Sequence, residues 1–391
     1  MEINFQNTEI AFKGKTNNEL KSAYYLFKLM RNRGLVKTAQ NLLITAMRLH
    51  LPYSWAIEST IYKQFVGGKT IEECTPVVEK LSNYSIKSIL DYSVEGNTTP
   101  AGMERTLEET LRTIENASRN PNIQFAVFKP TAFASPHLFE NAYKGKHFDS
   151  IMLSLFIDFK NRVDILCNRA YQLSVPILID AEESWYQHLI DETVEEMMNK
   201  YNKERAIVFN TLQMYRHDRI TFLKESIAKA KKKGYFIGLK FVRGAYIEKE
   251  RARAIEKGYP SPICSTKSDT DDSYNEALRI TLDNLNIAEL FSGTHNEESN
   301  HILVNEMIKR NIEPNDRRIW ISQLYGMSDH ISFNLAYHGF NVTKYVPYGP
   351  VKAVMPYLLR RAEENTAISG QTTRELRLLE IENRRRQAIK K

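Results

Sequence analysis

Lys344–Asn365 reads KYVPYGPVKAVMPYLLRRAEEN. A short apolar run, Tyr345-Val346, is broken by Pro347 and by Gly349-Pro350. A helical pattern follows, with Val351, Val354 and Leu358 at i, i+3 and i+7. The stretch is one strand followed by one helix. Arg360 and Arg361 fall near the far end of that helix, and Glu364 lies close enough behind them to share a face with both guanidinium groups. Two adjacent guanidinium forks make a receptor for a carboxylate, which they can hold from two directions. The competing reading of a bare Arg-Arg-x-x-Glu is a solvated helix face.

Working outward from this unit, the same strand-then-helix texture repeats. Short apolar runs fall at Ser88–Tyr92, Ile123–Phe128, Ile177–Ile179, Ile207–Leu212, Phe236–Val242, Leu290–Gly293, Ile319–Leu324 and Val342–Val346. Their alternation with longer helical patterns predicts an α/β chain with a parallel sheet, and the span of about 280 residues fits a closed (β/α)8 TIM-like barrel over 86–370. An open doubly wound sheet is the alternative, weakened because no GxGxxG follows any run.

Residues 1–85 read as an N-terminal helical arm. Thr16-Asn-Asn-Glu19 has the capping-box form, Leu20, Ala23, Tyr24, Phe27 and Met30 share a face, and Gly34 is the expected stop. Further helices are expected to end before Pro52 and at Gly67-Gly68, with another opening at Thr70. Gly67-Gly68-Lys69-Thr70 is not a phosphate loop, because Lys63 stands where the earlier glycine is required. Residues 371–391 read as a basic C-terminal helix and tail.

The chain has 391 residues, 42% of them hydrophobic and 26% charged, the balance of a soluble globular protein. No apolar run approaches the roughly 18 residues of a membrane span. The first residues have the layout of neither a secretory signal nor a transit peptide, so a cytoplasmic location is expected. Cys74, Cys167 and Cys264 are far apart, which suits a reducing interior without disulfides or zinc. The net charge of +7 is partly concentrated in Arg384–Lys391. Such a tail could touch nucleic acid, but the chain lacks the basic-aromatic interleaving of single-strand binders. Leu376 and Leu379 beside Arg384–Arg386 suggest instead a peripheral contact with an anionic membrane.

Polar side chains cluster just after the apolar runs, where a barrel places its chemistry. They include Lys129, Asp180, Glu182, Glu183, Gln213, Lys240, Arg243-Gly244-Ala245-Tyr246, Thr294-His295 and Tyr345. Asp180, Glu182, Glu183 and His295 could ligate a metal, but Lys129, Lys240, Arg243, Arg360 and Arg361 would repel one, so no metal is expected. Lys129 or Lys240 could form a Schiff base in an aldolase, or could simply pair with Asp180 or Glu182.

The same residues carry a family resemblance. Tyr345, Pro347-Tyr348-Gly349-Pro350, Tyr357-Leu358 and Arg360–Asn365 resemble the C-terminal signature of the proline dehydrogenases. Lys240–Tyr246 (KFVRGAY), Ile179–Glu183 (IDAEE) and Thr294–Asn296 (THN) resemble its other blocks, over roughly 86–385. The resemblance implies a distorted barrel with non-covalent FAD. L-proline would be oxidised to Δ1-pyrroline-5-carboxylate by hydride transfer to flavin N5, the first step of proline catabolism to glutamate. By residue-wise match, Arg360, Arg361 and Lys129 hold the substrate carboxylate, Tyr345 packs on its ring and Glu364 orients the arginines. Gln213, Arg243, Gly244, Ala245, Thr294 and His295 contact FAD, and Tyr246 shapes the pocket. Asp180 and Lys240 are the catalytic candidates; many bacterial members carry arginine at the position of Lys240. The implied partners are a quinone electron acceptor on the inner face of the membrane and a separate pyrroline-5-carboxylate dehydrogenase downstream. Hydroxyproline dehydrogenase is the alternative within this class.

Overall fold

The computed structural model of the protein describes residues 3–389 apart from 50, 52, 95–98, 144–148 and 368–370. Eight strands close into a barrel in sequence order: β1 (Ile86–Tyr92), β2 (Ile123–Phe128), β3 (Ile177–Ile179), β4 (Val208–Gln213), β5 (Ile237–Val242), β6 (Ala288–Gly293), β7 (Ile319–Leu324) and β8 (Val342–Tyr348). The pairings of β1 with β8 and of β2 through β7 with their successors are parallel. Helices separate the strands, as a parallel order requires. The expected (β/α)8 barrel is therefore the fold.

Each strand appears as an apolar run because both of its faces are covered, one by the barrel interior and one by helices. β8 runs three residues beyond its expected end, so Tyr345 lies mid-strand, in register with Ile89 of β1, and not at the strand terminus. Pro347 can sit there because only its carbonyl is needed: it accepts from the Gly67 N–H at 2.8 Å. The Gly349 N–H in turn reaches the Gly68 carbonyl at 3.0 Å. The Gly67-Gly68 pair thus serves close backbone approach, since a Cβ on Gly67 would lie 2.4 Å from Val346 Cγ1.

The chain divides into two compact units, Met1–Glu95 with Gln323–Lys391, and Gly96–Ser322. In the first, the helix Asn17–Met30 opens with both halves of the Thr16/Glu19 capping box. It does not stop at Gly34. It ends at Met30, and Gly34 lies inside the next helix, Arg33–Arg48, because Asn32 starts that helix by accepting from the Leu35 N–H at 3.2 Å. Ala11, Leu20, Ala23 and Phe27 share a core with Val354, Leu358, Leu376 and Leu379.

That core corrects the reading of the C-terminal helix. Leu376 and Leu379 are buried, and Arg386 donates to the Phe12 and Lys15 carbonyls at 2.8 Å and to Glu382 at 2.7 Å. The helix Gln371–Ile389 holds the arm; its apolar residues do not face outward. In the second unit Phe125, Phe209 and Phe291, from β2, β4 and β6, pack edge-on within 5.7 Å. A layer drawn from alternate strands is how such barrels fill their interior. Among the described residues no helix is long and apolar enough to cross a membrane.

Candidate active site

Within the second unit, the polar residues expected at the strand ends do gather there. Asp180 directly follows β3, whose end is tied to β2 by the Asp180 N–H donating to the Phe128 carbonyl at 3.0 Å. Lys240 lies on β5, nearly fully buried, and its Nζ reaches Asp180 Oδ1 at 2.5 Å. A buried ammonium needs such a countercharge, and the pair fixes both side chains. Lys240 is thus in the ion pair that competes with the Schiff-base reading. Lys129, half-buried, follows β2 and precedes the tight turn Pro130–Ala132.

A second cluster is organised by Glu182, which was weighed only as a metal ligand or ion-pair partner. Its carboxylate accepts from Thr131 Oγ1 at 2.7 Å and from the Tyr246 hydroxyl at 2.9 Å. Gln213, the last residue of β4, donates to the Glu182 carbonyl at 2.7 Å and accepts from the Ala245 N–H at 3.1 Å. Tyr246, Gln213 and Ala245 are therefore drawn into one network, as their shared assignment implied. Burial pushes the Glu182 carboxyl up to about 7, with Glu183 adding to the rise and the Thr131 bond, Lys129 and the Tyr246 bond opposing it. The sequence signal was available: two consecutive acids after an apolar run cannot both be solvated cheaply. Glu183 is instead paired with Lys249.

Arg243, just past β5, donates to Asp271 at 2.7 Å, to Thr294 and to Ser299 at 2.8 Å, and lies 4.6 Å over the Tyr274 ring. Thr294 is buried and His295 half-buried at the end of β6, so the guanidinium and these two side chains occupy neighbouring strand ends. Gly244 has φ +138°, and a Cβ there would meet the Tyr215 ring at 2.4 Å, so only glycine turns the chain at this point.

In the first unit Tyr345 is buried on β8, and its carbonyl accepts from the Tyr325 N–H at 2.8 Å. Arg360 is half-buried and Arg361 buried on the helix Met355–Ala367, with the Arg361 guanidinium 5.3 Å over the Tyr357 ring. Stacking on an aromatic face fixes the plane of a guanidinium. The Glu364 side chain lies outside the described residues.

The first unit also holds a charge cluster that sequence reasoning did not single out. Lys344 Nζ, fully buried on β8, lies 2.9 Å from Asp329 Oδ1, and Lys15 of the arm lies 3.1 Å from Asp329 Oδ2. Burial alone would raise the Asp329 carboxyl, but Lys15 and Lys344 hold it well below the usual carboxylate range. Burial pulls Lys344 down despite Asp329. A lysine inside the apolar run Val342–Val346 was the available signal.

The proline dehydrogenase family model matches residues 74–374. The carbapenem antibiotics biosynthesis protein CarD of Pectobacterium carotovorum subsp. carotovorum is 34% identical over 84% of this chain and 85% of its own. Proline dehydrogenase 1, mitochondrial, of Dictyostelium discoideum is 30% identical over 97% of this chain and 74% of its own. In solved structures the fold matches proline utilization A from Bdellovibrio bacteriovorus, inactivated by N-propargylglycine, with TM-score 0.72 and 19% identity over 92% of this chain. The chain spans 38% of the length of that structure. With the barrel closed, its strand ends polar and most of its length matched, the chain belongs to the proline dehydrogenase family and is an oxidoreductase of that class.

Proposed function

We propose that the protein oxidises L-proline to Δ1-pyrroline-5-carboxylate with non-covalently bound FAD. The observation that carries this reading is the family match over residues that include the motif positions Lys129, Asp180, Arg243, Thr294, Tyr345, Arg360 and Arg361. The donor chemistry at the ends of β4, β5 and β6 fits FAD: a guanidinium, a hydroxyl, an imidazole and a carboxamide suit a group bearing negative charge and many acceptors. Gln213, Arg243, Gly244, Ala245, Tyr246, Thr294 and His295 would hold it, and bound FAD would supply the hydride acceptor.

The remaining steps belong to this chain's side chains. Arg360, Arg361 and Lys129 neutralise the substrate carboxylate, Glu364 orients the arginines, and Tyr345 sets an aromatic edge against the ring methylenes. Cationic surroundings favour loss of a proton from the substrate ammonium, because like charges disfavour its charged form. Asp180 holds the Lys240 ammonium in place beside the reacting centre. A quinone is the proposed electron acceptor, and the product would pass to a separate aldehyde dehydrogenase. The proposed location is cytoplasmic, with peripheral contact on the inner face of the membrane.

The purified protein should be yellow and should bleach without oxygen when L-proline is added. A colourless protein that takes up no FAD would refute the cofactor. A yellow protein bleached by trans-4-hydroxy-L-proline and not by proline would refute the substrate.

A further inference from the structure

The helices that follow the first capping box carry apolar side chains on two sides. One side is the core: Leu20 and Phe27 are buried in it, and Leu43 and Ile57 pack against it. The other side faces outward. Leu29, Leu35, Leu42, Leu49, Leu51 and Trp55 are all between 52% and 73% exposed. Leu35, Leu42 and Leu49 recur every seventh residue along the helix Arg33–Arg48 and so fall nearly on one line. Ordinary surface helices place polar residues on the side away from the core.

The charge on this segment has one sign. No Asp or Glu occurs between Glu19 and Glu58, whereas Lys28, Arg31, Lys37 and Arg48 are all exposed. Exposed leucines and a tryptophan among cations, without acids, are what an interfacial helix presents to anionic lipid headgroups. Trp55 adds an amphipathic ring of the kind that settles at the headgroup level. A second copy of this chain fits the face poorly, because the same cations would meet with no acid in the segment to offset them.

We infer that the face formed by Leu29–Trp55 docks the protein on an anionic lipid bilayer, with Leu35, Leu42, Leu49 and Trp55 entering the interface and Lys28, Arg31, Lys37 and Arg48 contacting the headgroups. The C-terminal helix cannot take this role, since its leucines are in the core. The inference stands on exposure and charge, and does not depend on which substrate the barrel takes.

The test uses the full-length holoprotein with vesicles of phosphatidylcholine alone and of phosphatidylcholine with phosphatidylglycerol. Co-sedimentation should be strong only with the anionic vesicles and should weaken with salt. Trp185 is buried and Trp320 half-buried, so a blue shift of tryptophan emission on vesicle addition should come from Trp55. Lys37→Glu with Arg48→Glu, both away from the core, should lower the partition coefficient at least ~30-fold. Leu42→Ser with Trp55→Ser should abolish the blue shift while activity with a soluble dye acceptor is kept. Equal sedimentation with both vesicle types, or unchanged binding in both double variants, overturns the inference. So does a wild type that ignores vesicles and elutes as a dimer broken by Leu42→Ser with Trp55→Ser, which would assign the face to a second copy.

Discussion

Glu182→Gln should change the pH dependence of stability in a way that its surroundings specify. The wild-type carboxyl is buried, accepts two hydroxyl hydrogen bonds and is pushed up to about 7 from its ordinary 4.5. A raised folded-state value means that the fold prefers the protonated form. The associated stability is complete below about pH 4.5 and is lost as pH rises through about 7. At ~1.36 kcal/mol for each pH unit, the loss approaches about 3 kcal/mol in mildly alkaline buffer. Glutamine mimics the neutral acid: its oxygen can accept from Tyr246, and its N–H can turn to the Thr131 hydroxyl, which accepts as readily as it donates. The variant should therefore match the wild type near pH 5 and exceed it by up to ~3 kcal/mol near pH 8.5. Urea unfolding of the two holoproteins across this range, at fixed ionic strength, measures the difference. A gap that stays constant with pH, or a variant that loses stability as pH rises, would refute the account of Glu182.

Asp329→Asn should destabilise the fold by about 3–5 kcal/mol, because Lys344 keeps its buried charge without its partner, and adding Lys344→Met should recover much of the loss in denaturant melts. In the wild type the Asp329 contribution should be present above the ordinary carboxylate range and disappear as pH falls through its depressed folded value, so an acid limb unchanged in the variant would count against it. Arg360→Met and Arg361→Met, made separately, should each lower kcat/KM for proline by roughly 10- to 150-fold and weaken carboxylate inhibitors in parallel, with FAD content unchanged. Near-wild-type kinetics in both would remove the carboxylate role. Tyr345→Ser should shift the kcat/KM ratio toward trans-4-hydroxy-L-proline by roughly 10- to 200-fold, since one excluded hydroxyl is at issue. An unmoved ratio would place Tyr345 away from the ring.

Strand positions were legible in the sequence because a parallel strand is apolar on both faces. β2, β3 and β7 begin and end where the apolar runs do, and the Thr16/Glu19 box marked the first long helix. The expected ends failed where a partner outside the local window intervenes. Gly34 does not stop a helix because Asn32 has already opened the next one, and β8 continues through Pro347 because the distant Gly67 supplies its hydrogen bond.

By itself the sequence determined the alternation of strands and helices, the polar character of the strand ends and the motifs shared with the proline dehydrogenases. Each depends on residues near one another in the chain. Only the tertiary structure decided that Lys240 pairs with Asp180, that Glu182 is buried under Thr131 and Tyr246, and that Lys15 and Lys344 share Asp329. It also decided which leucines near the termini are covered: Leu376 and Leu379 are, whereas Leu35, Leu42 and Leu49 are not. The reason is physical. Periodicity tells which side chains share a face, but a charge takes whichever partner the closed barrel brings beside it, and Asp180 and Lys240 are 60 residues apart.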